Sequence, residues 1–227
     1  MAGTTASRTA AGVAFAESMK GWFALGESDP LAGAERGRRA GSELSLRARI
    51  RIGDVRRFRE DPEHRGTLDG AVSLPPLATE GGGSGGVFKL FAPGGEVAPR
   101  IMLYQLPFQA DGGESYCFVG RKHLRRPGLL RLWPETTTLY SRIHRGPDGS
   151  GEVVGAGVLR LGVPQLARML TTFRSSAPGI TRRVGALSGF GGFFLGQLWR
   201  CYILREIAVE QSGLRAGESN TMNPREE

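Results

Sequence analysis

The sequence predicts a mainly β fold: an antiparallel barrel or strongly curved meander of about seven or more strands, with a C-terminal helical layer. Three observations carry this. Residues Leu44–Ile52 alternate strictly, with Leu44, Leu46, Ala48, Ile50 and Ile52 against Ser45, Arg47, Arg49 and Arg51, which is the period of a half-buried strand. Further short apolar runs follow, each bounded by Gly or Pro. No segment of crossover-helix length separates those runs, so antiparallel pairing is favoured over parallel.

The elements follow in order. Residues 1–14 are small and polar and read as a disordered arm. Within Phe15–Gly26, the spacing of Phe15, Met19, Trp22 and Phe23 predicts one apolar face of a helix. Asp29–Gly41 is charged and suits a loop or a solvated helix. Asp54 is placed to cap a short helix carrying Val55 and Phe58, which ends before Pro62. The remaining strands are Thr67–Leu74, Val87–Phe91, Ile101–Phe108, Ser115–His123, Thr136–His144 and Val153–Leu161. Between the first and second of these lies Gly81–Gly86, a flexible linker by composition. Pro164 suits a helix start, with Leu166, Met169, Leu170 and Phe173 as its stripe, and a second helix runs from Arg182 to about Glu210. Residues 211–227 form a polar tail, leaving 15–210 as a single domain.

Composition narrows the classes. The 227 residues are 40% hydrophobic, enough for a sizeable core. The net charge is +8, and of 30 basic residues only Lys20, Lys89 and Lys122 are lysines. Such a balance favours anionic partners in general. Arg47, Arg49 and Arg51 form a ridge on one strand face, but no aromatic is interleaved between Arg47 and Arg57 for base stacking. Docking to an acidic protein or peptide, or plain solvation, fits that ridge better than nucleic acid does. Two cysteines, Cys117 and Cys201, make neither a disulfide framework nor a metal cluster. No secretory leader is apparent, and a cytoplasmic location is expected. The one candidate span, Val184–Leu204, is interrupted by glycines and Arg200 and reads as a buried helix.

Motifs are sparse. Gly82-Gly83-Ser84-Gly85-Gly86 matches the nucleophile-elbow pattern in letters but lacks the strand–turn–helix setting that strains the serine. No dinucleotide fingerprint or phosphate loop stands between a strand and a helix, so no cofactor is expected. His64 lies in a charged turn and is expected to be solvated. His123 and His144 fall at the ends of neighbouring strands, where they could approach. The strongest candidate site is Thr136–His144. Alternation sends Thr136, Thr138, Tyr140, Arg142 and His144 to one face, which is too polar for a plain core. Pointing inward, that face could hydrogen-bond a ligand; pointing outward, it is a solvated surface. Tyr104, Tyr116 and Phe118 could add aromatic wall to the same interior, or pack as core.

Several stretches occur together in one order: Phe15-Ala16-Glu17-Ser18-Met19-Lys20-Gly21, Asp61-Pro62-Glu63-His64, Gly86-Val87-Phe88-Lys89-Leu90-Phe91 and Leu132-Trp133-Pro134-Glu135-Thr136-Thr137-Thr138-Leu139-Tyr140. Gly155-Ala156-Gly157-Val158-Leu159, Leu170-Thr171-Thr172-Phe173-Arg174 and Phe193-Phe194-Leu195-Gly196-Gln197-Leu198-Trp199 continue the series. From Phe15 to Tyr202 the chain resembles an accessory, non-flavin region of bacterial cholesterol-oxidase-like glucose–methanol–choline oxidoreductases. The resemblance implies a compact module used beside enzymes that handle large apolar substrates. It does not imply oxidoreductase activity, because the flavin fold of those long chains lies elsewhere.

The expectations for function are therefore three. The first is a stand-alone barrel binding an apolar or amphipathic small molecule such as a sterol, lipid or polyketide. The second is a cofactor-free isomerase or cyclase for such a molecule, with Tyr140, Arg142 and His144 as catalytic candidates. The third is a peptide- or protein-binding accessory using Arg47, Arg49 and Arg51.

Overall fold

The computed structural model describes residues 11–94, 100–124, 136–162 and 171–175, with Gln165, Arg168, Met169, Gly185, Ser188, Gly189, Gly191 and Gly192 besides. Period-two alternation starts earlier than the sequence reading placed it. Strand β1 spans Val13–Leu25, so the helix expected over Phe15–Gly26 is a strand. Its inward row is Val13, Phe15, Glu17, Met19, Gly21 and Phe23. A carboxylate and a glycine at inward positions hide the alternation and leave the aromatics at helix-like spacing. The expected arm also gives way here, since Val13 and Ala14 already belong to β1.

Helix α1 (Pro30–Ala40) follows. Asp29 caps it, accepting the backbone N–H groups of Leu31 and Ala32, and Gly41 closes it in the left-handed region at φ 68°. Strand β2 (Glu43–Ile52) is the alternating strand that the sequence predicts. Asp54 caps α2 (Val55–Glu60), which places Val55 and Phe58 in the core.

Strands β3 (Arg65–Leu74) and β4 (Ala78–Pro93) form a hairpin. Here the glycine tract is no linker. Gly81, Gly82 and Gly83 pair with Val72, Ala71 and Gly70 as ordinary ladder partners. A Cβ at Gly81 would sit 2.6 Å from the Phe108 ring, so glycine is required by neighbours rather than by flexibility. The register shifts opposite Asp69, where Gly85 takes φ 70° and donates its N–H to the Asp69 carboxylate. Ser84 sits on this strand, remote from any elbow geometry.

The remaining strands are β5 (Arg100–Gln109), β6 (Ser115–Leu124), β7 (Thr138–Arg145), β8 (Val153–Arg160) and the short β9 (Arg174–Ser175). All pairs are antiparallel, in the order β2-β3-β4-β5-β6-β7-β8-β1, and β1 pairs back to β2. Eight strands therefore close into a barrel. β9 adds to β1 beyond the end of β8, at Val13 and Ala14. The expected β fold holds, and closure leaves no exposed edge among the eight.

Helix α1 lies outside the barrel on β1 and β8. Its buried face is Pro30, Gly33 and Gly37. At Gly37 a Cβ would stand 2.5 Å from the Phe23 backbone, so the helix rests flush on the sheet. Met169 and Phe173, half of the predicted C-terminal stripe, pack on the core, and Phe173 stacks on Phe15 at 4.9 Å. Leu166, Leu170, most of Val184–Leu204 and the tail lie outside the described residues. Among the described residues no helix is long and apolar enough to cross a membrane.

Candidate functional site

The barrel interior is filled by side chains. Met19, Leu46, Phe118 and Leu139 all show 0% exposure, so no water-sized space adjoins them. Tyr104, Tyr116 and Phe118 face this interior, as the aromatic-wall reading expected, and they are packed there as core.

Strand β7 turns its other face inward. Leu139, Ser141 and Ile143 are at 0% exposure, and the Ser141 hydroxyl donates to the Gly157 carbonyl at 2.9 Å. Thr138, Tyr140, Arg142 and His144 stand on the outer wall, while Thr136 belongs to a helical turn before the strand. The polar face of Thr136–His144 therefore lines no interior. Arg142 Nε donates to the Ser28 carbonyl at 2.8 Å, and His144 Nδ1 is 2.9 Å from the Gly151 carbonyl. These contacts staple outer loops to the barrel. His144 pairs across to Cys117, six residues from His123 along β6 or about 20 Å, so the two histidines do not meet. His123 lies instead against Tyr140, ring centroids 5.6 Å apart. His64, expected in solvent, is 7% exposed beside Phe58, and burial lowers its pKa.

Inside the apolar barrel sits a charged cluster. Lys122 Nζ donates to Glu17 Oε1 at 2.8 Å, and the Tyr104 hydroxyl donates to Glu17 Oε2 at 2.8 Å. Lys122 Nζ also stands 5.1 Å from the centre of the Tyr104 ring. Glu17, Tyr104 and Lys122 are each at most 5% exposed. Burial, then the Glu17 charge and hydrogen bond, push the Tyr104 phenol well above its ordinary pKa, so it is a proton donor at neutral pH. Across β2, β3 and β4 the residues level with Glu17 are Ala48, Gly70 and Gly83. Sequence reading passed over this cluster. Its signal is parity: Lys122 is in phase with Tyr116 and Phe118, and it is one of three lysines among 30 basic residues.

An open groove lies outside, directly behind this thin part of the wall. A groove of about 770 Å³ runs over the outer faces of β1–β4. Its floor follows from the registers. Ala16 and Ser18 of β1 face Arg49 and Arg47 of β2, which face Asp69 and Ala71 of β3. Small residues at Ala16, Ser18 and Ala71 set the floor low between taller charged side chains. The far wall is Gln165, Arg168, Met169 and Thr172. That wall is pinned: the Ala16 N–H donates to the Thr172 hydroxyl at 2.9 Å, below the Phe15–Phe173 stack.

The arginine ridge is only partly available. Arg47 pairs with Glu80 and Arg51 with Asp69. Arg49, between them, has no carboxylate partner among the described residues, and neither has the exposed Arg168 across the groove. Among the described residues no three His, Cys, Asp or Glu side chains are placed to hold a metal ion. Cys117 is buried and its pKa is raised to about 11, chiefly by desolvation, so its thiol is unreactive at neutral pH. No family model, curated protein or solved structure matches this chain.

Proposed function

We propose that this chain is a ligand-binding β-barrel module that takes an amphipathic small molecule in the groove on its outer wall. The observation that carries the reading is the groove itself. At about 770 Å³ it falls in the range of small-molecule sites, and its walls mix Ala16, Ala71 and Met169 with Arg49 and Arg168. The filled interior argues against the more obvious place for a ligand in a barrel. The resemblance to an accessory region of cholesterol-oxidase-like oxidoreductases supports the same reading, as a module serving an enzyme of large apolar substrates. The arginine ridge supports protein docking less well, because two of its three guanidiniums are already paired.

Thermal unfolding with a panel of sterols, fatty acids and polyketides tests the proposal. At least one compound should raise the Tm of the wild type, and Ala71→Trp, which fills the groove floor, should abolish that rise while the unliganded Tm stays close to wild type. A rise of equal size in Ala71→Trp would place binding elsewhere and sink the groove.

A further inference from the structure

We infer that the groove takes a carboxylate, held between Arg49 and Arg168 with the apolar part of the molecule along Ala16, Ala71 and Met169. The inference rests on the groove being a ligand site and adds the chemistry of its head group. Arg49 and Arg168 are exposed and line the same groove from opposite walls, one on β2 and one on the helical turns before β9. Their guanidiniums lack carboxylate partners among the described residues, whereas the neighbouring Arg47 and Arg51 have them. The Asp69 carboxylate, beside Arg49 in the ladder, is occupied: Oδ2 by Arg51 and Oδ1 by the Gly85 N–H. Guanidiniums match carboxylates in a planar, two-point manner, and such charge-assisted hydrogen bonds are the strong ones.

Arg47 is paired with Glu80 and Asp69 with Arg51, which leaves Arg49 and Arg168 as the groove's uncompensated charges among the described residues. Glu17 approaches from behind but is neutralised inside the barrel by Lys122. A carboxylate head group placed between Arg49 and Arg168 meets two guanidiniums and no unpaired carboxylate. The apolar portion is accommodated because the floor is alanine and serine and the far wall carries a methionine, whose thioether adapts to different shapes.

Titration calorimetry of the full chain at pH 8 and low salt, with dodecyl probes below their micellar concentrations, tests this. Laurate should bind about tenfold or more tightly than dodecanol or methyl laurate, as expected for gaining charged hydrogen bonds. Arg49→Gln and Arg168→Gln should each bring laurate down towards dodecanol, while Arg38→Gln on α1 should leave it unchanged. Equal binding of laurate and dodecanol, or laurate affinity unaffected by both groove variants, would overturn the carboxylate assignment while leaving the groove as an apolar site. Tighter binding of dodecyl phosphate than of laurate would overturn the assignment of a carboxylate head group. If no dodecyl probe and none of the sterol, fatty-acid or polyketide panel binds, the groove reading itself fails and takes this inference with it.

Discussion

Glu17, Lys122 and Tyr104 show how a single inward charge reorganises a barrel. Burying a carboxylate in an apolar interior is prohibitive unless it is paired and its oxygens are bonded. Here both Glu17 oxygens have donors at 2.8 Å. Removing one partner should therefore cost more than removing both. Lys122→Met should lose about 3–5 kcal/mol in urea unfolding, while Glu17→Leu with Lys122→Met should recover most of that loss. Tyr104→Phe leaves one Glu17 oxygen without its donor and should cost about 1–3 kcal/mol. The phenol also carries a pH signature. Its pKa is raised in the folded chain, so the folded state holds that proton more tightly than the unfolded state does. Its contribution is intact below about pH 10 and is lost as the pH rises beyond the unfolded value. Above pH 10 the wild type should lose stability more steeply than Tyr104→Phe, and parallel curves would contradict the raised phenol.

Among the elements, β1, β4 and β7 separate what could be read in the sequence from what could not. β2 was legible because its inward row is wholly apolar and its outward row polar. β1 was not, since Glu17 and Gly21 interrupt the inward row, and the reason for Glu17 lies on β5 and β6, 87 and 105 residues away. In β4 the glycines looked flexible because their cause is also non-local, the Phe108 ring and the β5 backbone beside them. The face of β7 was left open by its composition. Leu139 and Ile143 won the interior, and the polar row became an outer surface tied to Ser28 and Gly151. The same close approach governs α1. An exposed helical Gly→Ala change usually stabilises by up to about 1 kcal/mol. Gly37→Ala should have the opposite sign, a loss of about 1–3 kcal/mol from overpacking against Phe23. A gain in urea midpoint would show that α1 does not rest flush on the barrel.

On the scale of the whole molecule, closure through β1 sets both the core and the groove. β1 pairs with β2, β8 and β9, so one strand closes the barrel and also anchors the segment that walls the groove. Of the candidate site, Arg49 is legible in the sequence as part of a ridge, but Arg168 is not, because only the return of Thr172 to Ala16 brings it opposite. Tyr104, Tyr116 and Phe118 are buried and fill the interior that was expected to hold the ligand. The central claim is thus about location: binding occurs on the outer wall of a filled barrel. A two-dimensional ¹⁵N–¹H NMR titration of the full chain with laurate tests it directly. The account predicts shifts concentrated at the amides of Ala16, Ser18, Arg49, Ala71, Met169 and Thr172, with Tyr104, Phe118 and Leu139 unmoved. Shifts concentrated at Tyr104, Phe118 and Leu139 instead, with the groove amides still, would contradict it.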